Sequence, residues 1–245
     1  MLDDILEVHL EINRKNHYIP QFYIKNWSRD KTSVLIHRLL VSNDNVKKWE
    51  KKPVKGIGFY SNLYIDVINN TDDDSMEKWL NEIVETPAKQ IIDKIILGKK
   101  ISRDEYQIIT RFVFAQHVRT PKYFKENVDS WKKAVSDFIR NIDLNRMIEN
   151  HIFKDTNDKN ENDGSEHLPI RAEILTNEDD SKSLKVETTV GKGYWLFSIK
   201  HSLTNTFNKL PNYKWCIYQA PINFKWITSD NPVDVLNYMN QNEYY

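Results

Sequence analysis

Ser75-Met76-Glu77-Lys78-Trp79-Leu80-Asn81-Glu82-Ile83-Val84-Glu85-Thr86-Pro87 is the stretch at which the chain changes its hydrophobic period. Met76, Trp79, Leu80 and Ile83 recur at three- and four-residue spacing, which predicts one face of a helix. Pro87 either starts a second helix in its first turn or kinks a long one. Ile91, Ile92, Ile95 and Ile96 carry the stripe on until Gly98 stops it. Ser102-Arg103-Asp104-Glu105 has the capping-box spacing and predicts a new helix that runs to about Arg119, where Pro121 interrupts it. A third helix follows, with Phe124, Val128, Trp131, Val135, Phe138 and Ile139 expected to face inwards.

Outward from this helical middle, the pattern turns to strands on both sides. Residues 2–11 predict a short helix. Ser33 to Val41 reads as a strand with Val46 to Trp49 returning beside it, and Leu63 to Val67 as another short strand. Beyond the helices, residues 154–166 are polar without an apolar anchor and read as an exposed loop. Arg171–Leu175 and Leu184–Thr188 are expected strands, and Gly193–Phe207 an expected helix. Trp215–Gln219 and Phe224–Thr228 are expected to form a hairpin around Ala220-Pro221-Ile222-Asn223. Helices in the middle and strands at both ends predict an α+β fold, a central helical layer with short antiparallel strands. Residues 1–245 are read as a single domain with a helical middle at 75–150 and a strand-rich part at 167–245.

The whole chain has 245 residues, 40% of them hydrophobic, with 7 Trp, 12 Tyr and 10 Phe, which is too aromatic for a disordered chain. Lys+Arg and Asp+Glu both total 35. The missing basic surplus lowers the expectation of broad nucleic-acid binding, since phosphate neutralisation supplies much of such affinity. One cysteine, Cys216, excludes an intramolecular disulfide and a Cys-based zinc cage. No apolar run approaches the roughly 20 residues that span a bilayer, and Met1-Leu2-Asp3-Asp4 is acidic where a signal peptide is basic. A cytoplasmic location without membrane contact is the expectation.

Phosphate-loop, zinc-protease, nucleophile-elbow and kinase signatures are all absent. Three weaker constellations remain. In His17-Tyr18-Ile19-Pro20-Gln21-Phe22-Tyr23, Pro20 forces Ile19 into extended backbone. His17 is then either a backbone-bonded histidine beneath aromatics or a general base or metal ligand. In Gln116-His117-Val118-Arg119-Thr120-Pro121, Gln116 and Arg119 share a helical face with Phe112. An inward arginine needs a partner: a structural ion pair with Glu85 or Glu77, or an anionic ligand that it clamps. In Thr228-Ser229-Asp230-Asn231-Pro232, Asp230 either completes a turn or, at a strand end, binds a metal or orients a histidine.

Together the three resemble the bacterial family of unknown function DUF4238. The likeness lies in His17, Tyr18, Pro20 and Tyr23, then Lys25, Asn26 and Trp27, then Gln116, Arg119, Thr120 and Pro121, and last Asp230, Asn231 and Pro232, with Glu85 as the earlier helix's glutamate. It spans residues 16–233. Family members continue beyond the Asp-Asn-Pro turn, whereas this chain stops at Tyr245, so a truncated copy, a fragment and a divergent short form all stay open. The resemblance brings no established reaction. It implies that these polar residues belong together.

On residue chemistry the expected activity is hydrolysis of phosphodiesters or nucleotides, with His17, Glu85, Arg119 and Asp230 catalytic and Tyr18, Gln116 and Asn231 binding substrate. A divalent metal, a nucleotide or nucleic-acid ligand and a protein partner are left open. The alternative is a non-enzymatic binding module in which the same residues form a structural polar network.

Overall fold

The computed structural model describes residues 12, 14–43, 45–68, 71–141, 170–177, 179, 181–206 and 216–234. The expected helix at 2–11 and the expected loop at 154–166 lie outside the described residues. The architecture is α+β, with four two-stranded antiparallel sheets among the described residues. The chain divides into two compact units, residues 1–123 with 202–245, and residues 124–201.

In the first unit, β1 (Lys15–His17) pairs with β4 (Phe59–Ser61), β2 (Ser33–His37) with β3 (Trp49–Pro53), and β5 (Asp66–Ile68) with β6 (Thr71–Asp73). The strand bounds differ from those the sequence pattern predicts. β2 ends at His37 and not Val41, its partner begins at Trp49 and not Val46, and only the last two residues of Leu63–Val67 are in a strand. Tyr64 and Ile65 are instead buried just before β5. Side-chain burial, and not ladder length, fixes these segments.

Between β1 and α1 (Gln21–Ile24) the backbone is extended at Pro20, and the Ile19 N–H donates to the Gly58 carbonyl at 3.2 Å. Gly58 has φ +65°, and a Cβ there would lie 3.1 Å from the Ile19 Cβ and 3.2 Å from the Ile24 Cδ1. Glycine is required on both counts. Phe22 and Tyr23 of α1 meet Phe112, with ring centroids 5.6 and 6.1 Å apart.

The helices begin with α2 (Ser75–Leu80), which continues through a π-helical turn, Asn81–Glu85, into α3 (Thr86–Ile96). Pro87 thus sits in the first turn of a segment that follows without a break. The wide turn corrects the expected inner face. Met76, Leu80, Val84 and Ala88 are buried at a spacing of four, whereas Ile83 is exposed. A π turn holds one more residue than an α turn, so the inward position passes from Ile83 to Val84. Ile91 stays buried, but Ile96 at the helix end is exposed. Next, α4 (Arg103–Val118) starts on the predicted capping box: the Glu105 N–H donates to Ser102 Oγ at 3.2 Å, and the Ser102 N–H to Glu105 Oε2 at 2.8 Å. Ile109, Phe112, Ala115 and Val118 give α4 its buried face.

α5 (Pro121–Asn141) starts on the proline expected to separate it from α4. In the second unit, β7 (Ile170–Thr176) pairs antiparallel with β8 (Lys182–Thr188), and α6 (Lys192–His201) follows. A second π turn, Ser202–Thr206, continues α6 to near the predicted helix end. Trp131 stacks on Tyr194 with centroids 4.2 Å apart, and its Nε1 donates to the Thr189 carbonyl at 3.1 Å. Phe138 and Ile139, expected to face inwards, are exposed, and α5 buries none of its side chains fully.

The expected hairpin at 215–228 is the clearest departure. Its turn exists: Asn223 has φ +73° and the Phe224 N–H donates to the Pro221 carbonyl at 3.0 Å. Residues 216–228 nonetheless form no strand, and Ile217, Tyr218, Ile222, Phe224, Trp226 and Ile227 are all exposed. An isolated two-stranded hairpin is marginal without a covering layer, and alternation alone does not supply one. No described helix is long and apolar enough to cross a membrane.

Candidate functional site

The polar residues of the first unit gather on Arg119. This residue closes α4, its N–H donating to the Ala115 carbonyl at 3.2 Å, and its side chain is 0% exposed. A buried guanidinium must be neutralised and hydrogen-bonded. Nη1 donates to Glu85 Oε1 at 2.7 Å. The Gln116 amide, turned so that its oxygen faces the guanidinium, accepts from Nη2 at 2.6 Å and Nε at 2.9 Å. Three of the five guanidinium N–H groups are thus directed at neighbours three and 34 residues away in sequence. Glu85 reaches Arg119 from the last residue of the π turn, so the wide turn that buries Val84 also sets the direction of Glu85.

A second polar chain leads from the Arg119 backbone to β1. The Tyr64 hydroxyl donates to the Arg119 carbonyl at 3.2 Å, and the Tyr64 N–H donates to Asn16 Oδ1 at 3.1 Å. Asn16 Nδ2 donates to Glu77 Oε2. Asn16 is fully buried, and burial pushes the Tyr64 hydroxyl strongly up. Glu77 is raised to about 7, first by burial and then by the charges of Glu85 and Asp74. The sequence pointed to Glu77 only as a partner for Arg119, and to Asn16 and Tyr64 not at all. Asn16 stands directly before the singled-out histidine, and Glu77 lies two helical turns before Glu85, which is the signal that was there to use.

His17 ends β1 opposite Phe59, with the ring centroids 5.6 Å apart. Its Nε2 is buried and has no hydrogen-bond partner among the described residues. Its pKa is lowered, first by burial and next by Lys15; hydrogen bonding to the backbone of Lys55 and Lys15, and the charge of Glu85, act the other way. His17 and Arg119 therefore both feel Glu85. Tyr18 is buried, its ring 5.9 Å from Tyr60, and its hydroxyl is pushed up to about 12 by burial, Asp230 and Tyr60 in that order.

The Asp230 segment is the outermost part. Asp230 is exposed and is linked to the rest through its charge on Tyr18. Nearby, the Tyr23 hydroxyl lies 3.3 Å from Thr228 Oγ1. Asn231 is engaged in its own turn: its N–H donates to Ser229 Oγ at 3.1 Å, and Ser229 Oγ donates to the Asn231 carbonyl at 2.7 Å. Among the described residues, no three or more His, Cys, Asp or Glu side chains are grouped to hold a metal ion.

The arrangement has an inner and an outer part. Arg119, Gln116, Glu85, Tyr64, Asn16 and Glu77 form the inner hydrogen-bonded network. His17, Tyr18 and Asp230 stand at its edge, with one imidazole nitrogen unengaged. The profile of the family described as protein of unknown function (DUF4238) matches residues 15–245, nearly the whole chain. No curated protein and no solved structure matches the chain.

Proposed function

We propose that this chain, which belongs to the DUF4238 family, is a hydrolase of phosphodiesters or nucleotides in which His17 is the general base. One observation carries the reading: in a network whose other buried groups are hydrogen-bonded, His17 Nε2 is buried and unpartnered. A buried polar atom without a partner is costly and calls for a ligand or a role. The lowered pKa of His17 leaves the ring neutral at pH 7. When its other nitrogen carries the proton, Nε2 holds a lone pair. It takes a proton from water, the water oxygen bonds to phosphorus, and the phosphorus–ester bond breaks. The imidazolium then returns the proton to the leaving oxygen. Glu85, held by Arg119 at 2.7 Å, favours the transient imidazolium. Tyr18 keeps its proton at neutral pH and can donate to a phosphate oxygen. Asp230 and Asn231 border the substrate. Arg119 and Gln116 act as positioning residues, because their polar groups already serve each other and Glu85.

The second reading, a non-catalytic module pinned together by the same network, is favoured by Arg119 itself, which is completely enclosed and paired. The test is hydrolysis of bis(p-nitrophenyl) phosphate and of dinucleotides by the wild-type chain and by His17→Asn. The expected result is a loss of about 100-fold or more in the variant at unchanged melting temperature. The wild-type rate should rise with pH through a value below 6.5 and level off above it, since the base works only when deprotonated. A wild-type chain that hydrolyses none of these substrates, or a variant as active as wild type, would leave the binding module as the function.

A further inference from the structure

The β2–β3 hairpin takes no part in this network; Val34 of β2 is buried, but several large apolar side chains towards the tip stand in solvent. Leu39 and Leu40, just past β2, are 83% and 98% exposed, and Trp49 at the start of β3 is 58% exposed. The register sets His37 opposite Trp49, with ring centroids 4.5 Å apart. The Arg38 N–H donates to the Lys48 carbonyl at 2.9 Å and extends the ladder towards the tip. The exposed Lys47 and Lys48 therefore flank the two leucines. The charge is as uneven as the hydrophobicity. Residues 31–55 hold seven basic residues against Asp44 and Glu50, a surplus of five in a chain that balances at 35 of each sign.

Single exposed leucines are ordinary, but two adjacent ones beside a tryptophan and a lysine pair mark a contact surface. We propose that this hairpin tip docks on an anionic lipid surface. Leu39 and Leu40 enter the boundary between headgroups and acyl chains, Trp49 lies at headgroup level, and Lys47 and Lys48 meet the lipid phosphates. Tryptophan is favoured at that depth because one ring offers both an apolar body and a polar N–H. Lysines near the surface add an attraction that only anionic lipids return. A single-stranded nucleic acid fits less well. It would stack on Trp49, one side of which already meets His37, and it would leave the two leucines in water. The contact is a peripheral one and needs no spanning helix.

The experiment is flotation of the full chain with vesicles of phosphatidylcholine alone and of phosphatidylcholine with phosphatidylserine. The proposal expects partition into the anionic vesicles only, weakening as salt is raised. Leu39→Ser/Leu40→Ser and Lys47→Glu/Lys48→Glu should each lower that partition on the order of tenfold or more. Both pairs lie outside the strands, and circular dichroism should confirm that the fold survives. An environment-sensitive dye on Leu40→Cys in a Cys216→Ser background should shift to the blue on anionic vesicles. Equal partition into both vesicle types, no partition into either, or a dye that does not shift would overturn the proposal. So would binding of a single-stranded oligonucleotide, or self-association, that the same variants abolish while vesicle binding is absent.

Discussion

Arg119 shows how a buried charge dictates its surroundings. With no exposure and a carboxylate at 2.7 Å, it is a case in which removing one partner strands the other. Arg119→Ala should lower the unfolding free energy by about 3–5 kcal/mol, measured by urea denaturation; an unchanged midpoint would mean that the pair contributes nothing to the fold. Glu77 supplies a pH signature. Its folded pKa, about 7, stands above the 4.5 of an unfolded glutamate, so the folded chain holds a proton that the unfolded chain releases. The contribution is present in full below 4.5 and is lost as pH rises through about 7. Glu77→Gln keeps an acceptor for Asn16 and abolishes the titration. The fall in stability between pH 5 and pH 8 should therefore shrink in the variant, by an amount reduced because Glu77 is only half-buried. Parallel pH profiles for variant and wild type would contradict this.

Among the elements, α4 was the most legible, because its start is written locally. Ser102 and Glu105 satisfy each other's N–H groups and identify the first turn without reference to the rest of the chain. Ser102 is exposed, so Ser102→Ala removes the cap without disturbing packing. It should cost about 1 kcal/mol, read as a lower thermal midpoint; no change would show that other contacts fix the helix start. The run from α2 to α3 was legible as helix but not as a face. Periodicity at 3.6 residues selects Ile83, and only the π turn exchanges it for Val84 and aims Glu85 at Arg119. A five-residue turn is favoured by what it packs against, and Asn81 to Glu85 carries no sequence mark of it.

For the whole molecule, the network matters because it ties strands near the start of the chain to helices a hundred residues on. Tyr64 bridges Asn16 and Arg119, bonded to the side chain of one and the carbonyl of the other. If that bridge acts as a unit, Asn16→Ala and Arg119→Ala should be non-additive by about 0.5–3 kcal/mol in a double-mutant cycle. Additivity within about 0.5 kcal/mol would divide the network into two independent features. Charge shows the opposite limit of sequence averages. A total of 35 against 35 lowers the expectation of broad nucleic-acid binding, yet residues 31–55 concentrate a surplus of five beside two exposed leucines. Absence of a spanning run led to the expectation of no membrane contact, but that run says nothing about a hairpin tip.

The sequence by itself determined what local forces set. These are the α+β class from the change of period at Ser75, the α4 start from its capping box, the separation of α4 and α5 at Pro121, the strands at Arg171–Leu175 and Leu184–Thr188, and the turn at Asn223. The tertiary structure alone decided which groups meet. It chose Glu85 over Glu77 for Arg119, sent Glu77 to Asn16, left His17 Nε2 without a partner, and left residues 216–228 without a ladder. The physical reason is range. Caps, turns and periodicity act within a few residues, whereas the partner of a buried charge and the cover for an apolar strand come from distant segments that only folding brings close.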